Sequence, residues 1–302
     1  MLPTRRAFLA TTGVPPWLLR LVRAQLTGRP SPFRKENLVA WCIVPFDARK
    51  RGPDERAQML QRLGLKRLAY DFRAEHIPTF DREIDALERY GIELTAFWLP
   101  TDLEPERNTL VHIIFDLIER RGVRPQLWVT LSGTETREFL ALPEWERLDR
   151  AARAIFYLAQ RARRLGCKVG LYNHGGWFGE PENQIAIVRR LRLDNIGIVY
   201  NFHHGHEHLD RFGELYPRML PYLIAINLNG MRKQGPQILP LGSGDHELEM
   251  LRLILQSGYQ GPVGILGHRP ELDAEESLRQ NLEGLRRLLE CLGDQDALAT
   301  YR

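Results

Sequence analysis

The sequence predicts a single (β/α)8 barrel, and three observations carry the prediction. Short apolar runs alternate with amphipathic, helix-like stretches across residues 37–295. The alternation repeats eight times, and several of the helical stretches close on a glycine. Polar residues able to bind ligands gather just after the apolar runs, where a barrel keeps its active site.

The elements follow in order. Residues 37–46 (NLVAWCIVPF) form a continuous apolar run, as expected of a strand covered on both faces. Pro53, Asp54 and Glu55 open a helix over 53–63 that ends at Gly64. Residues 66–72 (KRLAYDF) are strand two, and 79–90 an amphipathic helix ended by Gly91. Strand three spans 92–99 (IELTAFWL) and helix three 110–121, before Gly122. Strand four is 126–131 (QLWVTL), followed by a long helix over 144–165 that closes at Gly166. The second half repeats the rhythm. Strands fall at 168–172, 196–200, 223–228 and 262–266, with helices at 182–191, 209–219, 247–256 and 274–292. Strands joined through helices run parallel. An open doubly wound sheet also alternates, but no Gly-x-Gly-x-x-Gly follows the first strand, and eight repeats favour closure. Residues 296–302 are left as a tail.

Composition limits the function classes. The chain has 302 residues, 43% hydrophobic, enough for one large core. Its net charge of +4 invites a nucleic-acid reading, but the arginines sit interleaved with apolar positions on helix faces, as at 161–164 and 286–287. Solvated helix faces account for that pattern better than a phosphate track, so no nucleic-acid partner is expected. Cys42, Cys167 and Cys291 have neither disulfide-framework nor metal-ligand spacing. Thr4-Arg5-Arg6-Ala7-Phe8-Leu9 resembles a twin-arginine export signal with a cut near Ala24, which assigns residues 1–36 to a signal and extension. That reading places the protein in the periplasm or outside the cell. A frayed basic tail, the other reading, leaves it in the cytoplasm. No run reaches the roughly 18 apolar residues of a membrane span, so no stable insertion is expected after export. A homo-oligomer is compatible with the sequence.

The candidate chemistry lies in the loops after the strands. Strand two leads into Asp71, Arg73, Glu75 and His76, and strand three carries Trp98. Tyr172 ends strand five, before Asn173-His174-Gly175-Gly176-Trp177 and Glu180. Strand six opens onto Asn201 and the run His203-His204-Gly205-His206-Glu207-His208. Asn227 and Asn229 mark strand seven, and His268 follows strand eight. With His246 in the Gly242-Ser243-Gly244-Asp245-His246 loop before helix seven, eight of the nine histidines fall in such loops; only His112 lies on a helix. Plainer readings stand beside these. Asn173 and His174 also fit a helix-capping turn, and Trp177 a core or lid residue. Asp71 also fits a rim ion pair with Arg73, and His268 a rim hydrogen bond. Read as an extended segment, the histidine run places His204, His206 and His208 on one side. Dense imidazole suggests a metal, but no carboxylate with ligand spacing accompanies it, and hydrogen bonding to substrate hydroxyls is the preferred reading.

Across residues 37–292 the chain resembles the xylose isomerase-like barrel superfamily, the sugar phosphate isomerases/epimerases. The resemblance rests on VGLYNHGGWFGEP, NIGIVYNFHHGH, AINLNGM, LGSGDHELEMLRLILQSGY and GPVGILGH. Asp71-Phe72-Arg73 and the Tyr172-to-Trp177 wording resemble an exported branch of it. The resemblance implies a sugar or oxidised sugar as substrate, and a divalent metal held by Glu, Asp, His and Glu on strands five to eight. The matching positions here are Tyr172, Asn201, Asn227 and Leu266 or Gly267, none of them a carboxylate. Amide oxygens bind Mn²⁺ or Mg²⁺ weakly without carboxylate help. The metal is therefore absent or held elsewhere, by His174, His204 and Glu180. The expected activity is proton transfer beside a sugar carbonyl, giving isomerisation, epimerisation or β-elimination. His174 and His204 are the expected acid/base pair, since an ordinary imidazole titrates near neutrality, with Glu180 as the third catalytic group. Asn173, Asn201, Asn227 and Asn229 would hold hydroxyls, and Trp177 would stack on the ring. Asp71, Trp98, Tyr172, His206 and His268 complete the substrate-binding set. A non-catalytic sugar-binding barrel is the first alternative, and an endonuclease-like protein the second.

Overall fold

The computed structural model describes residues 29–301. The twin-arginine stretch lies outside them. Eight parallel strands close in sequence order: β1 (Leu38–Trp41), β2 (Arg67–Tyr70), β3 (Glu93–Thr101), β4 (Gln126–Leu131), β5 (Lys168–Tyr172), β6 (Ile196–Asn201), β7 (Leu223–Leu228) and β8 (Val263–Leu266). Eight main helices follow them: α1 (Pro53–Leu63), α2 (Phe80–Arg89), α3 (Thr109–Arg121), α4 (Glu144–Arg164), α5 (Pro181–Leu191), α6 (Phe212–Met219), α7 (Glu247–Ser257) and α8 (Ala274–Leu292). The single (β/α)8 barrel predicted from the alternation is the fold observed.

The helices present apolar stripes to a continuous layer outside the sheet, where Leu60, Leu87, Ile114, Leu158, Leu251 and Leu285 are buried. The barrel interior is a second, smaller core of Val39, Trp41, Ala69, Ala96, Trp128, Tyr172, Val199, Ala225 and Leu266. Small residues on β2, β3 and β7 leave room for the three large rings. Gly264 on β8 is required by close approach: a Cβ there would lie 1.8 Å from Asn227 Oδ1.

Several boundaries differ from expectation. β1 stops at Trp41 rather than at residue 46, because Cys42 takes a left-handed conformation with φ 55° that no extended strand accepts. Helix two begins at Phe80, after a 3-10 segment, Ala74–Thr79. The histidine run is not extended either. His203–Arg211 is a kinked 3-10 helix, so alternate residues do not share a face. The described parts of the two terminal segments, residues 29–36 and 296–301, pack together against the barrel. Ser31 Oγ donates to Asp294 at 2.5 Å, Tyr301 OH donates to Phe33 O at 2.8 Å, and Phe33 is fully buried. No helix among the described residues is long and apolar enough to cross a membrane.

Candidate active site

The C-terminal ends of the strands surround a small cavity of about 50 Å³, lined by side chains from β1, β3 and β5 and from the segments after β1, β2, β5, β6 and β8. Wider depressions lie elsewhere, such as the groove beside Arg192, Asp194 and Tyr222 at the opposite end of β6 and β7. Their ionisable linings are arginine, lysine, carboxylate and tyrosine side chains, and no histidine lines them.

The floor is aromatic. Trp41 meets Trp128 edge-on at 4.8 Å between ring centroids, and Tyr172 lies parallel to Trp128 at 6.1 Å. Tyr172 OH accepts from Trp41 Nε1 at 3.2 Å and from Asn201 Nδ2 at 2.5 Å. Asn201 Oδ1 accepts the His203 amide at 3.1 Å, which helps turn the chain out of β6 into the 3-10 helix. Asn173 extends the β5–β6 ladder with its side chain: Nδ2 donates to Asn201 O at 3.0 Å, and Oδ1 accepts Asn201 N at 2.8 Å.

Three imidazoles, His174, His204 and His268, line the cavity, and a fourth, His203, packs against two of them. His174 and His204 lie 4.4 Å apart between ring centroids, His203 and His204 4.3 Å, and His203 and His268 5.2 Å. His268 also rests on Phe46 at 3.6 Å. Burial disfavours the charged ring in every case. It pushes His204 down to about 2, and His203 and His268 to about 4; it also lowers His174. All four are neutral near pH 7. The expectation that an imidazole near its ordinary value supplies both acid and base therefore fails for His204.

Asp71 is the carboxyl of the cavity. It is 2% exposed, its Oδ1 accepts Val44 N at 3.3 Å, and its Oδ2 has no protein partner. Burial, partly offset by the Val44 amide and the Arg73 charge, raises it from 3.8 to about 7. The rim ion pair with Arg73 does not form. Arg73 instead donates to Phe72 O at 2.7 Å, and its guanidinium sits 5.2 Å from the Phe46 ring centroid and 5.4 Å from that of Trp98. Trp98 Nε1 is a second buried polar atom without a partner.

The structure thus brings Asp71, Trp98, Tyr172, His174, His204 and His268 to one cavity. It does not bring the remaining predicted residues there. Glu180 turns to His208, with Oε2 3.0 Å from Nε2. His206 Nε2 lies 2.7 Å from Arg232 O and ties the 3-10 helix to the loop after β7. Trp177 packs against Phe139 at 5.6 Å and under Arg147. Asn229 Nδ2 donates to Gly230 O and Gln237 O, both at 2.8 Å, and so shapes that same loop. Asn227 is fully buried inside the barrel, with neither end of its amide paired. The amides expected to hold hydroxyls therefore lie inside the fold rather than on the cavity wall. Sequence reading named Arg73 and His203 after the strands but gave them no role in the site, and it left Cys42 and Phe46 out.

The residues present do not fit the metal of the resemblance. Tyr172 and Asn201 are bonded to each other, Asn201 Oδ1 is occupied by a backbone amide, and Leu266 is apolar. The proposed replacement of His174, His204 and Glu180 does not assemble, because Glu180 pairs with His208. Among the described residues no three His, Cys, Asp or Glu side chains are grouped closely enough to hold a metal ion.

Comparison with known proteins agrees with this architecture. No curated protein matches the chain by sequence. Among solved structures it is similar to 3-keto-D-glucoside 4-epimerase from E. coli, with a TM-score of 0.63 and 15% identity over 85% of this chain and 100% of that one. It is similar to a D-psicose 3-epimerase, with a TM-score of 0.62 and 14% identity over 83% of this chain and 99% of the other. An L-ribulose 3-epimerase gives a TM-score of 0.62 and 14% identity, over 87% and 97%. Identities this low establish a shared fold. The sequence profile of the xylose isomerase-like TIM barrels matches residues 58–288, and the chain belongs to that family.

Proposed function

We propose that the protein is a sugar-active enzyme of the isomerase or epimerase type that moves a proton beside a carbonyl without the family's metal. The observation that carries this reading is the cavity itself. One carboxyl, Asp71, is held near neutrality among imidazoles held uncharged, at the strand ends where barrels do chemistry. Similar folds that act as sugar epimerases support the substrate class.

In this reading the Asp71 carboxylate removes the proton from the carbon next to the substrate carbonyl. The freed electron pair moves onto the carbonyl oxygen and gives an enediolate. Neutral His174 and His204 donate N–H hydrogen bonds to that oxygen and stabilise the charge as it develops. Asp71 then gives the proton to the former carbonyl carbon, while the hydroxyl proton of the neighbouring carbon passes through an imidazole to the first oxygen, so that carbonyl and hydroxyl exchange places and the sugar is isomerised. Trp98 covers the ring, and its unpaired Nε1 donates to a hydroxyl. Tyr172, fixed from two sides, supplies a rigid floor.

The test is solvent deuterium exchange. Wild-type protein incubated with a panel of keto-sugars in heavy water should incorporate deuterium at the carbon beside the carbonyl, and Asp71→Asn should not. Sugar binding by calorimetry with no exchange into any panel member would refute the enzyme and leave a carbohydrate-binding barrel. That second reading draws its own support from the substituted metal positions.

A further inference from the structure

The cavity holds one cation whose charge the protein does not answer. Arg73 leaves β2 two residues after Asp71 and reaches the rim. One of its N–H groups is fixed by Phe72 O, and two aromatic rings, Phe46 and Trp98, hold the guanidinium in place. Among the described residues it forms no ion pair. The neighbouring carboxyl, Asp71, turns Oδ1 to the Val44 amide instead. Of the rest of the wall, Asp71 is half ionised near pH 7 and feels the Arg73 charge without forming an ion pair with it, while burial holds His204, His203 and His268 in the neutral form. A guanidinium with free donors, oriented by aromatic faces at the rim of the cavity, is a receptor for an anion.

We infer that Arg73 is the specificity-determining residue of this site and that the substrate is a sugar bearing a carboxylate. The planar fork of guanidinium donors, held over the Phe46 and Trp98 rings, matches two carboxylate oxygens in one plane better than a tetrahedral group. At about 50 Å³ the inner cavity is far below the ~300 Å³ of a pocket that engulfs its ligand. One edge of the substrate enters towards Asp71, and the charged end stays at the rim on Arg73. The inference rests on the sugar-active reading of the same cavity.

Calorimetry on the full-length protein tests it with matched probes: D-glucuronate against D-glucose, D-galacturonate against D-galactose, and D-glucose 6-phosphate. At least one uronate should bind about tenfold more tightly than its neutral parent, the range of a charge-assisted hydrogen-bonded pair. Arg73→Met keeps a stem of similar length against the rings and should bring that uronate down to its parent's affinity, with the neutral sugar unchanged. Arg73→Lys should retain part of the preference, and circular dichroism checks that both variants fold. The inference is overturned if no uronate outbinds its parent, if Arg73→Met weakens both members of a pair equally, or if the phosphate is the favoured anion. Binding is read without turnover. A protein that prefers uronates yet exchanges no deuterium would sink the enzymatic reading and leave this inference standing.

Discussion

Replacing Asp71 with asparagine should stabilise the protein while it abolishes proton transfer. Asp71 is 2% exposed, and its folded value is raised from 3.8 to about 7. Below about pH 4 the carboxyl is protonated whether the chain is folded or not, and it costs nothing. Above that, the unfolded chain releases a proton that the folded chain keeps, so folding stability falls as pH rises. The loss levels off once the folded group ionises, near pH 7. The span from 3.8 to about 7 corresponds to about 4 kcal/mol in full, of which about 2 kcal/mol has accrued at pH 5. Asparagine keeps an oxygen for the Val44 amide and carries no charge to bury. Urea unfolding of both proteins at a series of pH values should show the variant gaining on the wild type by about 2 kcal/mol between pH 5 and pH 8. The neutral histidines also make the wild type acid-labile, but they are common to both proteins and cancel in the difference. A difference that does not change with pH, or one that favours the wild type above pH 7, would refute the account of Asp71 as a buried, destabilised carboxyl.

Three further outcomes follow from the geometry. Glu180→Gln weakens the contact with His208 but leaves the cavity intact, so deuterium exchange should stay within about twofold of wild type; a loss above about a hundredfold would put Glu180 back in the chemistry. Gly264→Ala forces a Cβ to 1.8 Å from Asn227 Oδ1 and should destabilise the barrel by about 3 kcal/mol in urea, with most of the loss recovered in the double variant carrying Asn227→Ala. Elemental mass spectrometry of protein purified without chelators should find no stoichiometric Mn, Zn, Co or Fe, and soaking should add none. One metal per chain would mean that the imidazoles assemble a site that the present geometry lacks.

The fold was legible because its signal is periodic and repeated. A buried strand and an amphipathic helix leave different patterns, and eight repeats outweigh an error at any one boundary. The position of the cavity was legible for the same reason, since barrels place it at the strand ends. What each side chain does there was not. Asn173, Asn201 and Asn229 have the composition of ligand binders, yet their amides close the β5–β6 ladder, anchor Tyr172 and shape a loop. An amide that serves the backbone and one that serves a substrate look alike in sequence. The histidine run misled through its conformation, because a 3-10 helix sends His203 and His204 inwards, His206 to Arg232 and His208 to Glu180. Charge state was beyond reach as well. Burial moves His204 and Asp71 in opposite senses, and only the packed structure shows how deeply each lies.

That inversion of acidities sets the form of the pH dependence. A metal-centred member of this family polarises a carbonyl with a fixed positive charge. In the proposed mechanism polarisation falls to neutral imidazoles, which donate an N–H without having to hold an extra proton. His203, His204 and His268 have already lost their second proton well below neutrality, so they contribute no step between about pH 5 and pH 9. His174 lies below its ordinary 6.5, so Asp71, near 7, has the highest midpoint among the cavity's carboxyl and imidazoles. In its role as base it must be ionised, so kcat/KM should rise tenfold per pH unit below about pH 7 and level off above it. His204→Ala should lower the plateau but leave the midpoint in place, because it removes a hydrogen-bond donor and not the base. Asp71→Asn should remove the rise together with the rate. If the midpoint moves when His174 is changed and the rise survives in Asp71→Asn, the proton belongs to the imidazole, and Asp71 only binds substrate.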